Sequence, residues 1–287
     1  MLPGLLSVRF SRELFALSCA VGSVACSVTT SGERFLETRE WIVGGEASPI
    51  GGPEDGVVML LTQGPEAEQV CSGSLIAPNL VMTARHCVSY VNDGQFRCSV
   101  RGEPIDNPTG GGTLGLHLPA ENVEVYDGAT PRLQPIARGQ RVISTLSETL
   151  CVNDLAFVVL DRSLDLPLLP LRSGRSAETD EAVVLVGYGM DGKTQGIDLR
   201  TQLRHRRPGL SIHAVGPDAL EDGVTTVPPR ALILKGSSGC VGDSGGPLLA
   251  ERTLAVLGVY SLLDGDSCLG ASVRHQLVHV PPFEALM

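Results

Sequence analysis

From residue 42 onward the chain is divided into short apolar runs, most of them four to eight residues long, with turn-forming residues between them. Examples are Val57–Leu61, Leu80–Thr83, Val123–Tyr126, Leu155–Leu160, Ala182–Val186, Leu210–Val215, Ala231–Leu234 and Leu254–Ser261. Runs of this length fit strands, and several are rich in Val, Ile and Leu, which pack well on a pleated surface. No 3.6-residue periodicity is sustained long enough to compete. The 34 glycines and 19 prolines are spread along the chain, as turns between short strands require. The pattern is therefore all-β. At 43% hydrophobic residues there is ample material for a packed core. Residues 102–119 are rich in Gly and Pro and read as a surface loop. Leu166–Arg175, with Pro167, Pro170 and Gly174, reads as a linker, and Pro281–Met287 as a short terminal helix.

The first residues read as an export signal. Arg9 and Arg12 precede an apolar stretch from Leu14 to Val28, and Ser23-Val24-Ala25 offers a small-x-small cleavage site. The stretch is too short and too interrupted for a transmembrane helix. Of eight cysteines, Cys19 leaves with the signal and Cys26 becomes the first mature residue. That is where a bacterial lipoprotein carries its lipid, although Ser23 stands where a lipobox usually has Leu. A lipid anchor at Cys26 and an unpaired thiol there both stay open. Six cysteines remain, an even number that suits three disulfides in an oxidising compartment. No Cys-x-x-Cys and no histidine cluster marks a metal site. The net charge of −10 gives no nucleic-acid surface. Arg204-His205-Arg206-Arg207, the only basic cluster, reads as a solvated loop.

Chemistry is concentrated in three segments. Gly242-Asp243-Ser244-Gly245-Gly246-Pro247 puts a serine on a turn with little side-chain bulk around it. A serine hydroxyl is a poor nucleophile at neutral pH and needs a base and an orienting group. Thr83-Ala84-Arg85-His86-Cys87 and Asn153-Asp154-Leu155-Ala156 supply a histidine and an aspartate upstream. Only a fold could unite three residues so far apart.

The order His86, Asp154, Ser244, with these flanks, resembles the chymotrypsin/trypsin family of serine proteases, from Ile42 to about His279. The resemblance, not the composition, implies two packed six-stranded antiparallel β-barrels, about 42–165 and 166–287, within a protease domain of 42–287. Residues 1–25 are then the signal and 26–41 a propeptide. The resemblance implies that His86 is the base, Asp154 its orienter and Ser244 the nucleophile. The backbone N–H groups of Gly242 and Ser244 would form the oxyanion hole. Ile42-Val43-Gly44-Gly45 matches the activation segment, whose freed amino group at Ile42 would pair with Asp243. A buried Asp243 without that partner would cost about 3–5 kcal/mol. Disulfides Cys71–Cys87 and Cys240–Cys268 are implied, leaving Cys98 and Cys151 to each other. No cofactor is implied, and the partners are a polypeptide substrate and an activating protease.

By register with that family, Ser238 would fall at the floor of the specificity pocket, Ser261 on the strand that pairs with substrate, and Leu263 where a Gly would keep the pocket open. A neutral floor argues against Arg or Lys. Leu263 favours small aliphatic side chains, whereas the floor alone also admits aromatics, as the Trp41-Ile42 bond would suit. Small or medium apolar residues are the preferred reading. Two departures stand out. Trp41 precedes Ile42 where the family has Arg or Lys, and Arg85 stands beside the histidine where the family has a small residue. An Arg there could draw Asp154 away from His86 or point outwards, so a protease-like binding protein without turnover is the second reading. An α/β-hydrolase esterase fits Gly-x-Ser-x-Gly, but it needs its acid and histidine after the serine, and the tail is too short for the remaining units.

Overall fold

A computed structural model describes residues 42–64, 67–92, 94–128, 134–144, 148–190, 203–221, 225–234, 239–264, 268 and 274–279. Residues 263, 264 and 274–279 are described by their backbone. The export signal, Cys26, Trp41, Ser238 and the C-terminal helix expected over 281–287 lie outside these residues.

Two rings of strands dominate. The first ring comprises β1 (Val57–Gln63), β2 (Glu68–Ala77), β3 (Leu80–Thr83), β4 (Val123–Tyr126), β5 (Ala137–Ser144) and β6 (Ala156–Leu160). It closes in the order β5-β6-β3-β2-β1-β4, antiparallel throughout. The second ring comprises β7 (Ala182–Gly187), β8 (His205–Val215), β9 (Ala231–Leu234), β10 (Pro247–Ala250), β11 (Val256–Asp264) and β12 (Arg274–His279). Its order is β8-β7-β10-β11-β12-β9, β9 pairs back onto β8, and the two-residue strand Glu46–Ala47 adds to the start of β8 as a seventh, outside the ring. Closing both sheets removes the unpaired edges an open all-β sheet would expose. The all-β architecture of two six-stranded barrels thus stands as expected.

Side chains of both rings meet in one core. Val184, Val186, Tyr188, Leu249, Val256 and Val259 of the second ring or its borders cluster with β1–β6. The segment read as a linker binds both rings: the Leu169 N–H donates to the Leu75 carbonyl at 2.9 Å, and the Arg172 N–H to the Val256 carbonyl at 3.0 Å. Each large aliphatic side chain buried there contributes about 1.5–3 kcal/mol.

Register decides where functional residues fall. Thr83 of β3 pairs with Ala156 of β6. His86 follows the first strand's end and Asp154 precedes the second's start, so both emerge at one end of the first ring. Pro247 of β10 pairs with Val259 of β11, which puts the Ser244 turn and Ser261 at one end of the second ring.

Two expectations need correction. The stretch 102–119 is not merely a loop: Thr113–His117 pairs with Ser89–Asn92, and Pro104–Ile105 with Arg97–Cys98. Its glycines mask strands that only cross-strand partners stabilise. The basic cluster is no solvated loop either. It opens β8, with Arg204 1% and His205 3% exposed. Arg204 donates to Ser48 Oγ at 2.8 Å, to the Pro49 carbonyl at 2.7 Å and to Asp55 at 2.6 Å. Arg206 pairs with Glu54 at 3.2 Å, and Arg207 donates to the Gly44 carbonyl. The acids and carbonyls that satisfy these cations lie about 150 residues upstream, where a local reading of the cluster finds no partner.

Candidate active site

His86 sits in the one-turn 3-10 helix Arg85–Val88, which the Cys71–Cys87 disulfide ties to β2. Asp154 caps the short helix Leu150–Asn153 and is fully buried. Three donors converge on its carboxylate. The His86 backbone N–H donates to Oδ1 at 2.8 Å, His86 Nδ1 lies 2.7 Å from Oδ2, and Ser261 Oγ donates to Oδ2 at 2.5 Å. Burial opposes the charge on the imidazole, but the charge and hydrogen bond of Asp154 outweigh it and hold His86 above its usual range. Burial likewise opposes the carboxylate, and the His86 and Ser261 contacts outweigh it and hold Asp154 below its usual range. A proton held on Nδ1 by the carboxylate leaves the lone pair on Nε2, which is what a general base needs.

The role of Ser261 toward Asp154 is one that the sequence reading missed, having placed this residue only on the substrate strand. The register of β11 against β12 shifts between Tyr260 and Leu262. A bulge of this kind re-aims a side chain, and here the hydroxyl reaches the aspartate.

The Ser244 turn docks against the same place. Gly242 and Gly245 take φ of +100° and +83°, which side chains rarely adopt. A Cβ on Gly245 would lie 2.0 Å from Thr83 Oγ1 and 2.3 Å from the Ser72 carbonyl, so only glycine lets the turn approach the end of β3, three residues before His86. The Ser72 N–H donates to the Ser244 carbonyl at 2.7 Å, and the Gly245 N–H to the Tyr260 carbonyl at 2.8 Å. Among the described residues no acceptor takes the N–H of Gly242 or Ser244. Beside His86 lies a cleft of about 650 Å³ walled by Tyr90, Phe96, Leu118, Leu150 and Leu262.

Asp243 is fully buried and accepts from the Gly189 N–H at 2.7 Å and the Cys240 N–H at 2.9 Å. Burial pushes its carboxyl up to about 7, and the two N–H donors offset only part of that. In the unfolded chain the same group titrates near 3.8. Between these values the folded state holds the extra proton, so stability falls as pH rises through the window, by up to ~4 kcal/mol. Urea titrations of the uncut chain at pH 4 and pH 7.5 are expected to show this loss, and Asp243→Asn is expected to flatten it. An equal slope in Asp243→Asn would assign the loss elsewhere.

Arg85 is buried and directs Nη2 to the Gly115 carbonyl at 3.4 Å, while Asp154 keeps its His86 and Ser261 partners. It does not draw the aspartate away. Cys71, His86 and Cys87 lie within 4.8 Å of one another, but both sulfurs are spent in a disulfide and offer no thiolate to a metal. Cys98–Cys151 and Cys240–Cys268 are the other two disulfides. Ile42 is buried within the continuous chain, its carbonyl accepting from the Gly45 N–H at 2.7 Å. Leu263 lies on β11 opposite His275.

The sequence profile of the family described as Trypsin matches residues 42–274. The chain belongs to the trypsin family of serine proteases. A trypsin of Saccharopolyspora erythraea is 27% identical over 79% of this chain and 88% of its own length. Chymotrypsin-like elastase family member 1 of Macaca fascicularis is 25% identical over 83% and 85%. Among solved structures, HL collagenase superposes with a TM-score of 0.57 at 17% identity, covering 83% of this chain and 94% of its own. The scabies mite inactivated protease paralogue S-I1 does so at 0.58 and 17%, covering 84% and 96%. The two structures show the shared fold alone. For a trypsin-family chain the substrate class is polypeptide.

Proposed function

We propose that this chain is an exported serine endopeptidase that works through an acyl-enzyme and is activated by cleavage before Ile42. One observation carries the reading: His86, Asp154 and Ser261 form a continuous hydrogen-bonded chain, and the Ser244 turn is docked on the strand that leads to His86. Ser244 Oγ attacks the scissile carbonyl while His86 Nε2 takes its proton. The oxygen gains the electron pair of the C=O bond and is held by the N–H groups of Gly242 and Ser244. Collapse breaks the C–N bond, and His86 returns the proton to the leaving amine. Water, deprotonated by His86, then attacks the acyl-enzyme and releases the acid and Ser244. Asp154 stays ionised and stabilises the imidazolium.

Activation follows from Asp243. Cutting the bond before Ile42 turns a peptide nitrogen into an ammonium, the partner that a buried carboxylate lacks. Behind the new terminus, Arg207 binds the Gly44 carbonyl and Arg204 binds Ser48 and the Pro49 carbonyl, which anchors the segment from Gly44 onward. Trp41 requires an activator that accepts aromatic residues, or self-cleavage. An apolar residue before the scissile bond is the preferred substrate feature, from the neutral Ser238 and the bulk of Leu263. Three disulfides support an oxidising compartment outside the cytoplasm, with a lipid at Cys26 or free secretion as its two forms.

The test is N-terminal sequencing and intact mass of the exported protein, followed by fluorophosphonate labelling and a peptide library. With Ile42 exposed, one label on Ser244 and cleavage after apolar residues are expected. No label after deliberate cleavage at Ile42 would mean a protease-like binding protein. Strong preference for Arg or Lys would overturn the specificity.

A further inference from the structure

Ser72 is fully buried on β2, in the first ring, yet its polar groups are almost all spent on the second. Its hydroxyl donates to the Gly242 carbonyl at 2.9 Å and accepts from the Tyr188 N–H at 2.9 Å. Its N–H donates to the Ser244 carbonyl at 2.7 Å, and its own carbonyl accepts from Thr83 Oγ1 at 2.8 Å. One residue therefore grips the nucleophile turn at two carbonyls, Gly242 and Ser244. The hydroxyl also joins that turn to Tyr188, whose neighbour Gly189 holds the Asp243 carboxylate.

We infer that Ser72 is a positioning residue whose hydroxyl sets the Gly242–Ser244 turn, and so the aim of its oxyanion N–H donors, from across the two rings. The inference rests on the oxyanion role proposed above. Gly242 takes φ +100°, a conformation with several neighbouring alternatives for a glycine, and no side chain of its own can lock it. The peptide that joins it to Asp243 is held from both sides, its N–H by the Cys240 carbonyl at 3.0 Å and its carbonyl by the Ser72 hydroxyl at 2.9 Å, and only the second hold comes from the other ring. Oxyanion donors act only when aimed within a few tenths of an ångström of where charge develops, so a freed turn loses transition-state binding while keeping substrate binding. Ser72→Ala removes the hydroxyl alone. It leaves both backbone bonds of residue 72 in place and removes the hydroxyl's bonds to the Gly242 carbonyl and the Tyr188 N–H.

The experiment compares Ser72→Ala with Tyr126→Phe in the full chain, cut before Ile42. Tyr126 donates its hydroxyl to Glu124 at 2.7 Å in the first ring, so its loss lowers stability without touching the turn. Ser72→Ala is expected to lower kcat about 30-fold with KM within about twofold, less than the roughly 10²–10³-fold loss on deleting a donor outright. Tyr126→Phe is expected to keep kcat. The amide resonances of Gly242 and Ser244 read the same geometry without turnover. They are expected to shift in Ser72→Ala and to stay in place in Tyr126→Phe. Wild-type kcat in Ser72→Ala, or a loss no larger than that of Tyr126→Phe, overturns the inference. A wild type that takes no fluorophosphonate label overturns the protease reading instead; the resonances then decide for Ser72, supporting it if they move and overturning it if they do not.

Discussion

Replacing Ser244 with alanine is expected to lower kcat about 10⁶-fold and to abolish fluorophosphonate labelling, with the melting temperature unchanged. The size follows from the mechanism. Without the hydroxyl no acyl-enzyme forms, and His86 has no nucleophile to activate. What survives is acceleration from binding and from the oxyanion donors, because the N–H groups of residues 242 and 244 remain. The fold is spared because the turn is held by backbone bonds, Ser72 N–H to the residue 244 carbonyl and Gly245 N–H to Tyr260, none of which uses the Ser244 side chain. Steady-state kinetics and calorimetry on the chain cut before Ile42 check both halves. A drop of only tenfold would place the nucleophile elsewhere.

Asp154→Asn is expected to cost about 10⁴-fold in kcat/KM near neutral pH. The local geometry gives the reason. The His86 backbone N–H points at Oδ1, so the amide oxygen of the asparagine stays there and its NH2 takes the place of Oδ2. That NH2 faces Nδ1, which must then accept, and the ring proton moves to Nε2. The base is lost to the wrong tautomer although nothing has moved. The sign of the pH effect also follows. Asp154 raises the His86 pKa against the opposing effect of burial. With the charge gone, burial alone remains and the pKa falls. Activity requires neutral His86, so the acid limb of the residual kcat/KM profile is expected to move to lower pH. An acid limb at the wild-type position would mean that His86 does not feel Asp154.

Much of the site was legible because its flanks are as informative as its residues. Gly245 after Ser244 lies against Thr83 and Ser72 where the two rings approach closely, and close approach constrains residue type strongly: only glycine fits at 245. Ser72 carried no such signal. A serine inside a strand has no pattern of its own, and its importance comes from Gly242, 170 residues away. Ser261 was found on the expected strand but with an unexpected partner, because a one-residue bulge redirects a side chain without altering the apolar pattern around it. The arginines at 204–207 misled for a related reason. Charge patterning finds salt bridges within a helix or hairpin, and these cations find theirs about 150 residues upstream.

The sequence by itself determined that the chain is all-β, because the spacing of apolar runs is a local property written into every segment. It also marked His86, Asp154 and Ser244 and the cysteines available for three disulfides. Only the tertiary structure decided what those residues touch. Register at Thr83–Ala156 brings His86 and Asp154 to one rim, closure of two rings brings the Ser244 turn against β3, and burial pushes the Asp243 carboxyl above its ordinary range. These are effects of distance and dielectric between residues remote in the chain, and such quantities exist only once the chain has closed on itself.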